Sequence, residues 1–107
     1  MPDQDPDLES ILALDRTVHE PARLAILTVL AAAEDVEFLF LQRVTGLSKG
    51  NLSSHTQKLE GAGFIETVKA FRGRIPVTSF RITGEGRLAL ATYHTQLRAL
   101  LPKEKKS

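Results

Sequence analysis

Leu47-Ser48-Lys49-Gly50-Asn51-Leu52-Ser53-Ser54-His55-Thr56-Gln57-Lys58-Leu59-Glu60-Gly61-Ala62-Gly63 is the stretch that decides the fold. Ser48 suits a helix N-cap, because its hydroxyl can accept from a first-turn amide that has no helical partner. Leu52, Thr56 and Leu59 recur at helical spacing, and Gly61 and Gly63 offer a C-terminal stop, so a helix is predicted over about 48–62. With Leu52 at the centre of the buried face, a step of about 100° per residue puts Gly50, Ser53, Ser54, Gln57 and Lys58 on or near the opposite side. That side is small, polar and uncluttered. It can approach a duplex closely and hydrogen-bond to base edges and phosphates, although an ordinary solvated helix face carries the same residue types.

Upstream, Glu37 to Thr45 carries Phe38, Leu39, Leu41 and Val44 and ends at Gly46, a natural C′ residue. The short link Gly46-Leu47-Ser48 joins it to the first-named helix, and two short helices joined by a tight Gly-containing turn form a helix-turn-helix. Earlier still, Pro21 fits the first turn of a helix running through Ala33, whose Leu24, Ile26, Leu27 and Leu30 make it the expected central buried element. Glu34-Asp35 is a polar break. Asp7 can cap a first helix over 7–18, with Leu8, Ile11, Leu12 and Val18 on an apolar stripe too short to be stable unless packed. Residues 1–6, with two prolines and two aspartates, are expected to be disordered.

Downstream of Gly63 the period changes. Phe64 to Phe71 alternates, and Val77-Thr78-Ser79-Phe80-Arg81-Ile82-Thr83 is again rich in strand formers. Between them Arg72-Gly73-Arg74-Ile75-Pro76 reads as a turn with a basic tip. A hairpin attached to a helix-turn-helix is a wing, placed here over about 71–77. Arg72 and Arg74 have no obvious partner nearby in sequence, and their reading is phosphate or minor-groove contact; a solvated hairpin tip is the plainer alternative. Thr83 can cap a last helix over 84–101 with Glu85 in its first turn. Its Leu90, Tyr93, Leu97, Leu100 and Leu101 exceed what one neighbour can cover. An intermolecular helix pair, joined by Leu8, Ile11 and Leu12 of the first helix, would bury them; docking on its own domain is the alternative. Residues 102–107 form a charged tail. The fold class expected is α+β, mainly α: a winged helix-turn-helix whose N- and C-terminal helices form a dimer interface.

The 107 residues allow one domain with a modest core, and 42% hydrophobic with 25% charged residues is ordinary for a globular protein. No apolar run is long enough to span a bilayer, and the acidic start is the reverse of a signal peptide, so a cytoplasmic location and no membrane partner are expected. Cysteine is absent, which removes disulfides, thiolate metal sites and cysteine nucleophiles. The net charge of +1 hides an asymmetry: residues 1–40 hold nine acidic and two basic side chains (−7), and residues 41–107 hold twelve basic and four acidic (+8). Such segregation suits a polyanion-binding surface; the competing explanation is that the two halves pair across the fold.

Leu47 to His55, followed by Gln57-Lys58-Leu59-Glu60 and Gly63, resembles the small stand-alone winged-helix transcriptional regulators related to the MarR and ArsR families. The resemblance extends over about residues 19–90, through His19-Glu20-Pro21, Arg23-Leu24, Gly73-Arg74 and the Thr83, Glu85-Gly86-Arg87 start of the last helix. It implies a homodimer that binds an inverted repeat in double-stranded DNA, with the 48–62 helix in the major groove and the wing beside it. It carries DNA contact to Lys49, Asn51, Ser53, Ser54, Gln57, Arg72 and Arg74, to which the helix face adds Gly50 and Lys58. Two positions depart from the family: Thr56 where leucine is usual, which turns a hydroxyl toward the core, and Gly84 where proline is common. Many relatives hold an effector; no residue set here identifies one.

Catalytic and metal readings are weak. His19, His55 and His94 lie far apart with no HxxxH or HxxE partner, Ser53 and Ser54 have no base in a recognisable arrangement, and no glycine-rich loop could hold a nucleotide. No enzyme activity, cofactor or metal is therefore expected. The expected function is a sequence-specific, homodimeric DNA-binding regulator; a winged helix used as a protein-interaction module is the alternative.

Overall fold

The computed structural model describes residues 8–101. The expectations for 1–6, the Asp7 cap and the 102–107 tail lie outside the described residues. The chain runs α1 (Leu8–Leu12), α2 (Pro21–Ala31), β1 (Val36–Glu37), α3 (Phe38–Thr45), α4 (Lys49–Gly61), β2 (Ile65–Arg72), β3 (Ile75–Ile82) and α5 (Gly84–Leu100). It is a mainly helical α+β fold, a helix-turn-helix of α3 and α4 followed by a wing, as the sequence implied.

α2 is the hub. Glu20 caps it, accepting from the Arg23 amide, and Pro21 opens it where a missing N–H costs nothing. Its Ile26, Leu27 and Leu30 are fully buried, and the helix touches α3, α4, α5 and β3. Leu41, Leu52, Leu59, Ile65, Phe80, Leu90 and Tyr93 complete the core around it. The first helix is much shorter than 7–18. Asp15 draws its side chain back onto the amides of Thr17 (2.8 Å) and Val18 (3.4 Å), which offers the backbone an alternative to the helix. The irregular segment that results drops Leu14 and Val18 into the core.

The fold also holds a strand that no pattern in the sequence announces. Val36 and Glu37 pair antiparallel with Phe80 and Ser79, giving a three-stranded sheet in the order β1-β3-β2. Glu37, expected as helical, is instead the cap of α3. In the hairpin the strands run further than anticipated: Arg72 pairs with Ile75 and Phe71 with Pro76, which leaves only Gly73 and Arg74 as the loop. Gly73 has φ +65° and Arg74 does not, the pattern of a type II′ turn, which matches the twist of the flanking strands. Pro76 is tolerated because β1 ends well short of it, leaving that part of β3 an edge.

Two tight connections fix α4. Ser48 accepts from the Asn51 amide at 3.1 Å, and α3 ends on Gly46 in the left-handed region. At the other end Gly63, at φ +82°, makes a Schellman closure: its amide reaches Glu60 O and that of Phe64 reaches Leu59 O. Gly61 is the last helical residue rather than the stop.

Thr56 is buried, and its hydroxyl donates to the carbonyls of Leu52 (2.9 Å) and Ser53 (3.1 Å). The departure from leucine thus leaves no unpaired donor. Both acceptors lie within the same helix, so Thr56→Val should be neutral or up to about 1 kcal/mol stabilising in urea unfolding. A loss greater than that would show that the hydroxyl holds α4 together.

Leu90 and Tyr93 were expected in a dimer interface, but the fold spends them within the protomer. They are 7% and 3% exposed, and Tyr93 OH meets His19 Nδ1 at 2.7 Å. A stripe at helical spacing reports an apolar face and does not say whose apolar surface covers it.

Candidate nucleic-acid interface

α4 presents its polar side outward because Leu52, Thr56 and Leu59 consume the other. Lys49, Gly50, Asn51, Ser54, Gln57 and Lys58 are exposed, and Ser53 is half-buried. A Cβ at Gly50 would meet nothing within 4 Å, so packing does not require glycine there. The absence of a side chain leaves the first turn open to close approach from outside.

The wing stands off the body. Residues 69–76 are all exposed, among them Lys69, Arg72 and Arg74, with no acidic residue in that span. Between α4 and the hairpin lies an open groove of about 700 Å³, whose lining includes Lys49, Ser53 and Gln57 of α4, Lys69 and Arg72 of β2, and Glu37. The structure therefore gathers Lys49, Ser53, Gln57 and Arg72 around one groove. Gly50, Asn51, Ser54, Lys58 and Arg74 are exposed but do not line it.

Lys69 and Glu37 were missed. Strand alternation could have pointed to Lys69, since Lys69 and Phe71 share a register parity. Nothing local could have pointed to Glu37. Its side chain makes no cap bond to α3 and instead forms an ion pair with Arg72, 35 residues away. Arg72 has no obvious partner nearby in sequence; the fold supplies one from a strand the sequence did not reveal. Arg81 is likewise held by Asp35 at 3.0 Å, Arg87 donates to Ala31 O at the end of α2, and His55 sits 3.8 Å from Glu20. The acidic half of the chain does pair with the basic half in part. Lys49, Lys58, Lys69 and Arg74 form no ion pair among the described residues.

Glu37 is one of two carboxylates, with Glu60, in a groove that also holds Lys49, Lys69 and Arg72. Glu37→Gln should free Arg72 and remove a negative charge, tightening binding to duplex DNA about three- to tenfold in anisotropy titrations at low salt. Its effect on stability should be small, since the Arg72 side chain is 70% exposed and such pairs contribute about 0.2–1 kcal/mol. Weaker binding would show that Glu37 serves to aim Arg72.

Behind α4, His55 and Glu20 connect the helix to the start of α2. Burial pushes the Glu20 carboxyl up, but the Arg23 amide, His55 and the Arg23 guanidinium outweigh it and hold it below the usual carboxylate range. This cluster braces α4 from the core side. Among the described residues, no group of three or more His, Asp or Glu could hold a metal ion, and no helix is long and apolar enough to cross a membrane.

The model of a winged helix DNA-binding domain matches residues 22–101, from α2 to the end of α5. An uncharacterised protein of Methanocaldococcus jannaschii is 42% identical over 72 residues, which span 66% of this chain and 77% of that one. The structure of a transcriptional regulator homologue from Pyrococcus horikoshii superposes with a TM-score of 0.78 at 32% identity, covering 86% of this chain and 90% of the other. The transcriptional repressor CouR, solved bound to a 23-mer DNA duplex, shares the fold at a TM-score of 0.72 and 20% identity, over 87% of this chain and 63% of its own. With most of its length, including the helix-turn-helix and the wing, matched in this way, the chain belongs to the winged helix DNA-binding domain family.

Proposed function

We propose that the protein is a sequence-specific regulator that binds an inverted repeat in double-stranded DNA as a homodimer. α4 enters the major groove, where Asn51 and Gln57 reach base edges, Ser53 and Ser54 reach bases or phosphates, and Lys49 and Lys58 hold the backbone. Gly50 lets the first turn come close, and Arg72 and Arg74 take the backbone or minor groove alongside. The observation that carries this reading is the groove shared by the bare face of α4 and the basic wing, with Lys49, Lys69 and Arg72 converging on it. The DNA-bound state of CouR, a protein of the same fold, is consistent with it.

The dimer rests on α1 and α5, which touch each other. Leu8, Leu12, Leu88 and Leu101 are 67%, 71%, 68% and 58% exposed, and Ile11 is 41% exposed. Leu97 and Leu100 are half-buried beside them. Pairing of two copies through these helices buries what the protomer leaves open. Leu90 and Tyr93 support that face from inside the protomer.

Sedimentation of the protein alone, and with random-sequence duplex at low and moderate salt, tests both parts. A dimer that binds duplex at low salt and releases it as salt rises is the expected result, because cations that neutralise phosphates displace counterions. A dimer indifferent to DNA would favour the interaction-module reading, and a monomer would remove the role given to α1 and α5.

A further inference from the structure

α4 is held to the body by apolar packing and by one charged contact. Leu52, Thr56 and Leu59 bury one face of it, and His55 Nε2 stands 3.8 Å from Glu20 Oε2 at the head of α2. Among the described residues this is the only ion pair that ties α4 to another element. The two side chains are 20% and 30% exposed, so water screens the pair less than one on the open surface. Glu20 is itself fixed: its Oε1 accepts from the Arg23 amide at 2.8 Å, which leaves Oε2 to face His55. His55 Nδ1 is buried with no hydrogen-bond partner, so the ring's polar hold on the body runs through Nε2.

At 3.8 Å the two groups are too far apart for a hydrogen bond, and the contact has force only when the imidazole is charged. From the α2 side the charged groups at His55 are Glu20 and, across that carboxylate at 4.0 Å, Arg23. On α4 itself a step of about 100° puts His55 between Leu52 and the outward pair Asn51 and Lys58. The other titratable groups around α4 are turned elsewhere. Lys49, Glu60 and Lys69 line the groove on its far flank, Glu66 is opposite Arg81 in the hairpin, Arg43 lies over Phe40, and His19 meets Tyr93. Burial alone would raise the Glu20 carboxyl, but the Arg23 amide, His55 and the Arg23 guanidinium hold it below the usual carboxylate range. It therefore stays ionised wherever histidine titrates.

We propose that His55 is a proton-operated positioning residue: charged, it is drawn onto Glu20 and locks the seating of α4 on α2, and neutral, it leaves α4 to its apolar contacts. This rests on the DNA-binding reading and makes affinity depend on pH, because Asn51 and Lys58 flank His55 on the face offered to DNA. The tie is complete at pH values below the histidine range and is lost as pH rises through it. DNA binding therefore weakens toward alkaline pH.

The test titrates the full chain against a random-sequence duplex by anisotropy, from about pH 5.5 to about pH 8, with a salt series at each end. Wild-type affinity should fall about three- to tenfold across that range, with parallel salt lines. Glu20→Gln keeps an oxygen to accept from the Arg23 amide, so α2 stays capped, and it should bind with one affinity throughout. His55→Gln should be equally flat. A wild type whose affinity does not change with pH would overturn the inference and leave the DNA-binding reading intact. So would a pH dependence that survives in Glu20→Gln, or a salt slope steeper at low pH, since His55 would then be touching a phosphate directly. Survival in His55→Gln would overturn it as well, by assigning the titration to another group. Hydrogen exchange of the free protein supplies a readout without DNA: protection of the 52–59 amides, corrected for the intrinsic rate, should rise at low pH in the wild type only. Protection independent of pH would overturn the inference too. Protection that follows pH in a protein that never binds duplex would instead remove the DNA-binding reading and, with it, the affinity dependence proposed here.

Discussion

Arg72→Ala combined with Arg74→Ala is expected to lower affinity for all duplex sequences alike, on the order of 50-fold near 0.1 M salt, and to reduce the salt slope by about 1.8. Both figures follow from the loss of two phosphate contacts, each contributing about 0.9 to the slope of log K against log salt. The single variants should differ, because the two arginines start from different states. Arg74 has no ion pair among the described residues, whereas Arg72 is engaged with Glu37 and must exchange a carboxylate for a phosphate on binding. Arg72→Ala also leaves the Glu37 carboxylate unpaired beside the duplex, adding repulsion to the lost attraction. Glu37→Gln should therefore tighten Arg74→Ala by the same factor as the wild type but change Arg72→Ala by a different factor, a coupling between positions 37 and 72 that a double-mutant cycle measures. Salt titrations of the wild type, the two single arginine variants, their double, and Glu37→Gln alone and combined with each single arginine variant decide the matter. A double-arginine variant with an unaltered slope would remove the wing from the DNA.

Gly86→Ala is expected to have the largest effect on stability of any single methyl addition in the chain. An added Cβ would lie 2.1 Å from Phe64 O and 2.8 Å from Ile82 Cγ1, with no flexible side-chain end to move aside. That carbonyl already accepts from the Thr83 amide at 3.0 Å. Thr83 in turn donates its hydroxyl to Gly63 O at 2.6 Å and accepts from the Gly86 amide at 2.9 Å. The first turn of α5, the end of α4 and the base of the wing thus meet around one residue with no side chain. Relieving the clash requires moving α5 as a body, which breaks the Thr83 network. A cost of about 3 kcal/mol or more is expected, a fall in Tm of roughly 12–24 °C. Gly84→Ala is the control, since a Cβ there meets nothing within 4 Å and the backbone is not left-handed; it should be neutral or stabilising by about 0.5–1 kcal/mol. Equal thermal transitions for the two variants would show that α5 is not fixed at Gly86. If Gly86→Ala folds yet binds DNA poorly, the position of the wing depends on this junction.

Much of the molecule could be read without coordinates, because the signals were local. Ser48 and Thr83 cap helices through amides three residues ahead, and Gly46 and Gly63 adopt the left-handed backbone that ends helices. Leu52, Thr56 and Leu59 sort α4 into a buried and an open face by spacing alone. These features determined the helix-turn-helix, the wing and the polar face offered to DNA. Their energetics act within a few residues of chain, where sequence separation and spatial separation are nearly the same.

The tertiary structure decided the rest, because it concerns pairs far apart in the chain. Val36–Glu37 is too short to show a strand period, and it becomes a strand only because β3 offers an edge. Through it Glu37 comes to Arg72, so a wing arginine with no obvious partner nearby in sequence begins in an ion pair. Asp15 ends the first helix by turning onto its own backbone, and Leu90 and Tyr93 go inside because α2 and His19 reach them first. The sequence by itself determined which surfaces exist and what chemistry each carries. Only the packing determined which of those surfaces the chain consumes internally and which remain open, since that depends on where distant elements come to rest.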